Sequence, residues 1–192
     1  MTELNYDFKT KPFAHQRNAL TASWEETAHA LFMEMGTGKT KVAIDNMGLL
    51  FEAGKLRSVL IIAPKGVFDN WLKGEIPAHL PDRIERRLLR WQPNHTKTFL
   101  KEFKEMTFDD YAGLKIIAMN VEGLSTPKAF SFAYSFLENN PQNMVIIDES
   151  TNIKNREAKR TRNILELRKL ARYRRILTGS PVTKSPMDLF SQ

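Results

Sequence analysis

The stretch Met33-Glu34-Met35-Gly36-Thr37-Gly38-Lys39-Thr40 joins two segments of different periodicity. A short apolar run, Ala30-Leu31-Phe32, precedes it, and an apolar segment with helical spacing at 42–50 follows it. This order predicts a strand, a loop and a helix. The two glycines allow the loop backbone to curl until successive N–H groups point inward, and the helix adds the positive end of its dipole. The stretch therefore has the features of a phosphate-binding loop.

A loop of this kind assigns roles to its side chains. Lys39 reaches the β- and γ-phosphates of a nucleotide, and Thr40 offers a hydroxyl to a bridging Mg²⁺. The predicted nucleotide-contacting residues of this run are Met35, Gly36, Thr37, Gly38, Lys39, Thr40 and Lys41. The strict pattern G-x-x-x-x-G-K-[ST] has its first glycine where this chain has Met33. An ordinary strand-to-helix turn with a solvent-facing lysine is the alternative.

The composition sets limits on the class of protein. The 192 residues are 42% hydrophobic and 27% charged, with no cysteine. These values are typical of a soluble globular domain, and disulfides and thiolate metal sites are excluded. The N-terminus is polar and acidic, and no apolar run approaches the ~18 residues of a membrane span. We therefore expect an intracellular, cytoplasmic protein with no membrane partner.

The net charge of +7 is concentrated in one stretch. Between residues 154 and 175, ten basic residues minus two acidic residues give a local net charge of +8, which leaves −1 for the rest of the chain. A basic stripe of this kind suits a polyanion. A solvated helix face is the alternative, because Ile164, Leu167 and Leu170 have core-facing spacing with the charges between them.

Apolar strands alternate with helical segments along the chain. The predicted strands are 30–32, 58–63, 86–91, 114–119, 143–147 and 174–177. The predicted helices are 13–24, a segment after Lys39, 67–77, 95–106, 128–138 and 155–171. Residues 1–12 are predicted to be an extended N-terminal segment. This alternation predicts an α/β domain, with a doubly wound, mainly parallel sheet flanked by helices.

Two carboxylates follow 143–147, the clearest buried strand of the sequence, and ligands of such sheets bind beyond the carboxyl ends of the strands. Asp148 can hold Mg²⁺ while Glu149 orients or deprotonates the attacking water. Together with Lys39, they are the candidate catalytic residues. An acidic pair after a strand can also be only a helix N-cap.

Phe13 and Gln16 precede the loop. A glutamine amide donates and accepts as the N6 and N7 atoms of adenine require, and an aromatic ring can pack on the base. An ordinary surface glutamine is the alternative.

Five motifs occur in one order along the chain. They are Phe13-x-x-Gln16, the loop 34–40, Ala63-Pro64 followed by Asn70-Trp71, Asp148-Glu149 followed by Ile153-Lys154-Asn155, and 177–181 followed by 188–191. Together they resemble the first, N-terminal RecA-like lobe of the Swi/Snf-type, chromatin-remodeller-like ATPases of helicase superfamily two. The resemblance covers nearly the whole chain, and the compact spacing is similar to that of bacterial or phage members. It implies one RecA-like P-loop NTPase domain over residues 1–192.

The resemblance also implies an activity, namely ATP hydrolysis that drives translocation on duplex DNA, with ATP and Mg²⁺ as cofactors. It implies adenine recognition by Phe13 and Gln16. The DNA-binding residues that it implies are Lys65, Asn70, Trp71, Ser125 and Thr126. Those that would couple hydrolysis to movement between lobes are Thr178, Gly179 and Ser180. Contacts to the DNA backbone make binding tolerant of sequence and sensitive to salt.

Three features depart from the family pattern. Ser150 and Thr151 stand where the family has a small residue and a histidine, and Lys184 and Ser185 stand where asparagines are common. The chain ends at Gln192, so we expect that these 192 residues lack the second RecA-like lobe. We expect that lobe to be supplied from elsewhere, in cis or in trans. That lobe supplies arginine fingers, worth ~10³ to 10⁵ in rate in related systems, so the isolated chain should be poorly active.

Two other classes of function stay open. The chain could be a stand-alone nucleotide-binding and DNA-binding regulatory module. It could also belong to another superfamily-two enzyme, such as an RNA helicase or a restriction-type translocase.

Overall fold

The computed structural model describes residues 5–149 and 158–179. Its centre is a six-stranded sheet in which every pair of neighbours is parallel. The strands are β1 (Ala28–Phe32), β2 (Ser58–Ala63), β3 (Arg86–Arg90), β4 (Leu114–Asn120), β5 (Asn143–Asp148) and β6 (Tyr173–Thr178). Their order across the sheet is β1-β6-β5-β2-β4-β3. All six predicted strands are present, within two residues at each end.

Helices connect the strands on both faces of the sheet. They are α1 (Ala14–Ser23), α2 (Lys39–Glu52), α3 (Phe68–Asn70), α4 (Ile76–His79), α5 (Lys97–Phe108), α6 (Pro127–Glu138) and α7 (Lys159–Leu167). A π-helical turn, Trp71–Glu75, lies between α3 and α4, and a 3₁₀ turn, Gly123–Ser125, precedes α6. Residues 5–12 have no regular secondary structure.

The sheet separates two hydrophobic cores because successive strand residues face opposite sides. In β2, Val59 and Ile61 belong to the core beneath α1, α2 and the 68–79 region, whereas Leu60 and Ile62 belong to the core beneath α5, α6 and α7. All six β2 residues are buried, which is typical of parallel strands covered on both faces. The doubly wound α/β prediction is confirmed.

One predicted helix is not continuous. The segment predicted as a helix over 67–77 consists of α3, the π-helical turn and α4. Pro77 has no N–H, and its ring would clash with the Lys73 carbonyl group in a regular α-helix. The turn widens instead, so the Ile76 N–H donates to the Trp71 carbonyl oxygen, five residues back.

Within the described ranges, no helix is both long and apolar enough to cross a bilayer.

Candidate active site

The loops that carry the sequence motifs lie at one edge of the sheet. Because all strands are parallel, every strand ends at that edge, as the sequence predicts. The loop after β1 is next to the end of β6, and the end of β6 is next to Asp148 at the end of β5. The loop after β2 follows on the other side of β5. The sheet order therefore brings the phosphate-loop candidate and the carboxylates to the same edge.

The loop backbone has the conformation that its glycines predict. Gly36 and Gly38 have φ angles of 78° and 83°, in the left-handed region that favours glycine. Gly38 precedes α2 and provides no side-chain cap. The first N–H groups of α2 have no partner within the helix. They are therefore available to donate hydrogen bonds to a phosphate.

Lys39 is buried, with 9% of its surface exposed. Its ammonium group donates to the carbonyl oxygens of Met33 and Glu34, each at 3.0 Å. The side chain thus folds back over the loop instead of extending into solvent. This position contradicts the alternative of an ordinary turn with a solvent-facing lysine, and it places one positive charge within the loop.

Gln16 attaches α1 to the loop. Its Nε2 donates to the Thr37 carbonyl oxygen at 3.0 Å, and its Oε1 accepts from the Phe13 backbone N–H at 3.0 Å. Only 5% of Gln16 is exposed, so the alternative of a surface glutamine is wrong. Each of its two polar atoms keeps one further hydrogen-bonding position, since an amide has two donors and two lone pairs.

The outer side of the loop carries exposed apolar and aromatic surface. Phe13 is 70% exposed and Met35 is 81% exposed. His15, which the sequence analysis did not single out, stacks on Phe13 with ring centroids 5.9 Å apart, and its Nε2 lies 3.0 Å from the Thr37 carbonyl oxygen. The only signal for His15 was its place between Phe13 and Gln16.

Lys41 requires a correction. The motif predicts that Lys41 contacts the nucleotide, but its Nζ pairs with Asp45 Oδ2 at 2.6 Å, and both side chains are buried. It also lies over the Phe8 ring, 5.5 Å from the centroid. One helical turn separates Lys41 from Asp45, so the two side chains share a face of α2, the face against the N-terminal segment. Thr40 is half-buried and precedes it in the first turn of α2.

Asp148 is the last residue of β5, and Glu149 follows it directly. Asp148 is 8% exposed, and its Oδ1 accepts from the Glu149 backbone N–H at 2.9 Å. Glu149 has a φ of 48°, the one positive value for a non-glycine residue in the described ranges. Such backbone strain is concentrated at functional sites. The first helix described after the pair, α7, begins after Ala158, so the carboxylates do not cap it.

Burial raises the pKa of Asp148 above its ordinary value. Hydrogen bonds from Trp71 and from the Glu149 N–H oppose the shift, as does the charge of Lys39. A buried carboxylate has lost the water that would stabilise its negative charge. A bound divalent metal can supply that stabilisation, because a nearby positive charge favours the ionised form.

The donor set fits Mg²⁺. Thr40 and Asp148 offer oxygen atoms, which Mg²⁺ prefers, and Mg²⁺ commonly keeps several waters and takes its other ligands from phosphates. No cluster of three or more His, Cys, Asp or Glu side chains occurs in the part of the chain that the structure describes.

Trp71 also requires a correction. The family resemblance implies that Trp71 contacts DNA, but it is 1% exposed, and its indole N–H donates to Asp148 Oδ2 at 2.8 Å. A side chain with so little surface has no room to contact a DNA backbone, so Trp71 belongs to the site around Asp148. Lys65 and Asn70, on the same connection after β2, are exposed.

The loop after β4 uses its polar residues locally. Thr126 caps α6, since its Oγ1 accepts from the Ala129 N–H at 3.2 Å, and it donates to the Gly123 carbonyl oxygen at 2.8 Å. Thr126 is exposed and Ser125 is half-buried. Both remain at the sheet edge that carries the other motifs.

The end of β6 lies against the phosphate-loop candidate. Thr178 is buried and pairs with Phe32 of β1. A Cβ at Gly179 would lie 3.1 Å from Met35 Cγ and 3.3 Å from the Met35 backbone nitrogen, so a larger residue would press on the loop. Ser180, the third predicted coupling residue, lies outside the described residues.

Arg175, which the sequence places in the basic stripe, lies in the core instead. Arg175 is 1% exposed, and it donates to Asn46 Oδ1 and the Ser23 carbonyl oxygen, each at 2.8 Å. Burial lowers its pKa to about 10. Its alternation with Tyr173 and Leu177 in β6 was the available signal for an inward position.

Comparisons with known proteins agree with this architecture. The sequence profile of the SNF2-related domain matches residues 15–191. The chain is 28% identical over 166 residues to the ATP-dependent helicase fft3 of Schizosaccharomyces pombe, covering 82% of this chain and 16% of that protein. It is 25% identical over 158 residues to the ATP-dependent helicase FUN30 of Saccharomyces cerevisiae, covering 82% of this chain and 13% of that protein. The chain thus spans less than a fifth of the length of these relatives.

A solved structure has the same fold. The Sulfolobus solfataricus SWI2/SNF2 ATPase core in complex with dsDNA superposes with a TM-score of 0.74 at 22% sequence identity. The superposition covers 98% of this chain and 36% of that chain. With the profile match over nearly the full length, the comparisons establish that this chain belongs to the SNF2-related domain family.

Proposed function

We propose that this chain is the ATP-binding lobe of a DNA-dependent ATPase that translocates on duplex DNA. One observation supports the proposal most strongly: the buried Lys39 ammonium group lies within the loop after β1, at the sheet edge where Asp148 and Glu149 end β5. A module that only bound nucleotide would not need a carboxylate in the position of Glu149. The names of the relatives, which are ATP-dependent helicases, support the same class of reaction.

Each residue then has a defined task at the nucleotide. Lys39 exchanges its bonds to the Met33 and Glu34 carbonyl oxygens for bonds to phosphate oxygens. Thr40 and Asp148 hold Mg²⁺, which neutralises charge on the phosphates when it is bound. Glu149 holds the proton of the attacking water, and Phe13 and Gln16 contact adenine through the exposed ring and the remaining positions of the amide.

We propose that duplex DNA crosses the same edge of the sheet, beside the nucleotide. Lys65 and Asn70 are exposed on the connection after β2, and Ser125 and Thr126 follow β4. The solved structure with the same fold is a complex with dsDNA. Contacts of this type are made to phosphates, so binding should tolerate changes of sequence. A protein that acts on DNA in this way would work inside the cell.

We also propose that turnover requires a second RecA-like lobe, supplied in cis or in trans. The chain covers 36% of the solved ATPase core that it matches, so that core contains much more than this lobe. Thr178, Gly179 and Ser180 would transmit movement between the lobes, since Gly179 lies against Met35 of the loop.

Single-turnover hydrolysis with protein in excess over radiolabelled ATP tests the proposal. We expect slow hydrolysis by the wild-type chain and a rate at least about 100-fold lower for Glu149→Gln, because a general base contributes 10² or more. Equal rates for the two proteins, both clearly above hydrolysis without protein, would contradict the role of Glu149, whereas equal rates at that background would support the need for the second lobe. DNA-stimulated turnover of tens per second by this chain alone would instead contradict the need for a second lobe.

A further inference from the structure

Trp71 connects two loops that are far apart in the sequence. It is among the largest fully buried side chains, and its indole N–H donates to Asp148 Oδ2 at 2.8 Å across 77 positions. The other carboxylate oxygen, Oδ1, accepts from the Glu149 backbone N–H at 2.9 Å. Both oxygens of the Asp148 carboxylate are therefore held, and the plane of the carboxylate is fixed.

The backbone at Trp71 is set by the sequence. Trp71 begins the π-helical turn whose widening follows from Pro77, and its carbonyl oxygen accepts the bond that closes this turn. Wide turns of this kind occur frequently at functional sites. The side chain is packed in the core with Phe68 and Ile76, so the indole position does not depend on a ligand.

Two neighbouring residues, the last of α3 and the first of this turn, face opposite environments. Asn70 is exposed and donates to Glu75 Oε1 at 3.2 Å, whereas Trp71 is buried against Asp148. The connection that presents Lys65 and Asn70 to the proposed DNA thus also carries the group that orients Asp148.

We propose that Trp71 is a positioning residue of the nucleotide site, whose indole N–H holds the Asp148 carboxylate in the orientation that binds Mg²⁺. This inference rests on the proposed function, because it requires that Asp148 holds the metal of a bound nucleotide. In metal sites, removing a group that orients a ligand typically lowers metal affinity by about 10- to 100-fold. The loss should concern the metal and not the nucleotide itself.

The test compares two matched substitutions, Trp71→Phe and Trp91→Phe. Trp91 is also buried, at 5% exposure, but its indole nitrogen has no hydrogen-bond partner among the described residues. Both variants lose the same atoms from a core, and only Trp71→Phe loses the bond to Asp148. Binding of a fluorescent ATP analogue to the full chain is titrated with Mg²⁺ and, separately, in EDTA.

For Trp71→Phe we expect the Mg²⁺ concentration at half-maximal nucleotide binding to rise by about 10- to 100-fold, with unchanged affinity in EDTA. Trp91→Phe should match the wild type in both titrations. A second readout is the indole ¹H–¹⁵N resonance of Trp71 in the nucleotide-free chain, which should shift strongly in Asp148→Ala while the resonances of Trp24 and Trp91 stay in place.

The possible failures are distinguishable. If the wild-type chain bound no nucleotide with Mg²⁺, the proposed function would fail, and this inference with it. Nucleotide binding with equal Mg²⁺ dependence in the wild type and Trp71→Phe would overturn this inference alone. If Trp71→Phe does not fold, benzothienylalanine at position 71 keeps the bicyclic ring without the N–H, and the same titrations decide.

Discussion

The backbone at Gly38 lies so close to Gln16 that a Cβ at Gly38 would overlap the Gln16 Nε2 atom. Gln16 Nε2 in turn donates to the Thr37 carbonyl oxygen. The helix α1 and the phosphate-loop candidate are therefore fitted to each other at a position where only glycine leaves room.

Gly38→Ala should weaken both folding and nucleotide binding. The left-handed φ of 83° costs an alanine about 1–2 kcal/mol, and displacing Gln16 leaves a buried amide without its partner at about 1–3 kcal/mol more. Urea unfolding should show a loss of about 2–5 kcal/mol in the free energy of unfolding. Gly54→Ala is the control, because Gly54 has a φ of 69° but a Cβ there would meet nothing within 4 Å in the described structure.

The same contact predicts coupling between the two sites. In a Gln16→Ala background, the cost of Gly38→Ala should fall to the backbone cost alone, since the overlapping atom is gone. Additive losses in the double mutant would contradict the fit between Gln16 and Gly38.

Asp45 should make stability fall with rising pH. Burial raises its pKa from 3.8 to about 6, although the bond and charge of Lys41 oppose the shift, and its Oδ1 lacks a hydrogen-bond partner in the described part of the chain. The folded state therefore binds this proton more tightly than the unfolded state, and the free energy of unfolding decreases as pH rises through the interval between these values. The Asp45→Asn variant should lack this pH-dependent contribution to the free energy of unfolding. A wild-type minus Asp45→Asn difference that is constant over the interval would contradict the assignment.

Arg175→Lys should destabilise the fold. Arg175 donates to Asn46 Oδ1 and to the carbonyl oxygens of Ser23 and Arg174, and no carboxylate pairs with it in the described part of the chain. A lysine ammonium group cannot reproduce the planar arrangement of donors in the guanidinium group. Thermal or urea unfolding should therefore show a loss of about 2–4 kcal/mol in the free energy of unfolding, because hydrogen bonds made by a charged group are lost. Arg174→Lys, at a half-buried neighbouring position, should stay within about 0.5 kcal/mol of the wild type. Equal losses of stability in the two variants would contradict a stabilising role for the buried hydrogen bonds of Arg175.

Lys65→Ala should weaken duplex DNA binding at every sequence. One lost phosphate contact reduces the slope of log affinity against log salt by about 0.9, which fluorescence anisotropy at several salt concentrations measures. Lys101→Ala is the control, since Lys101 is exposed on α5, away from the connection after β2. An unchanged salt slope for Lys65→Ala would contradict the proposal that Lys65 contacts a DNA phosphate.

Periodicity and turn residues were sufficient to predict the sheet. Buried parallel strands such as 58–63 are continuous apolar runs, and the ends of β2 match the prediction. The placement of the loops at one edge follows from the parallel order alone. The roles of Lys39 and Asp148 rest on motif and context, and both side chains are buried at that edge.

The sequence did not predict contacts that form only in three dimensions. Trp71 and Asp148 are 77 positions apart, and nothing local distinguishes an inward tryptophan from a DNA-facing one. Lys41 follows the phosphate-loop motif directly, but the helical rotation turns it toward Asp45 and Phe8. Arg175 was read as surface charge because a buried arginine without a carboxylate is uncommon.

The most direct measurement is equilibrium binding of ATP, with Mg²⁺, to the wild-type chain, Lys39→Ala and Lys101→Ala. The account predicts that the wild type and Lys101→Ala bind equally. Lys39→Ala should bind about 10- to 100-fold more weakly, the loss expected for a charged hydrogen bond. Absence of binding by the wild-type chain, or equal affinities for all three proteins, would contradict the claim that the loop after β1 is the nucleotide site.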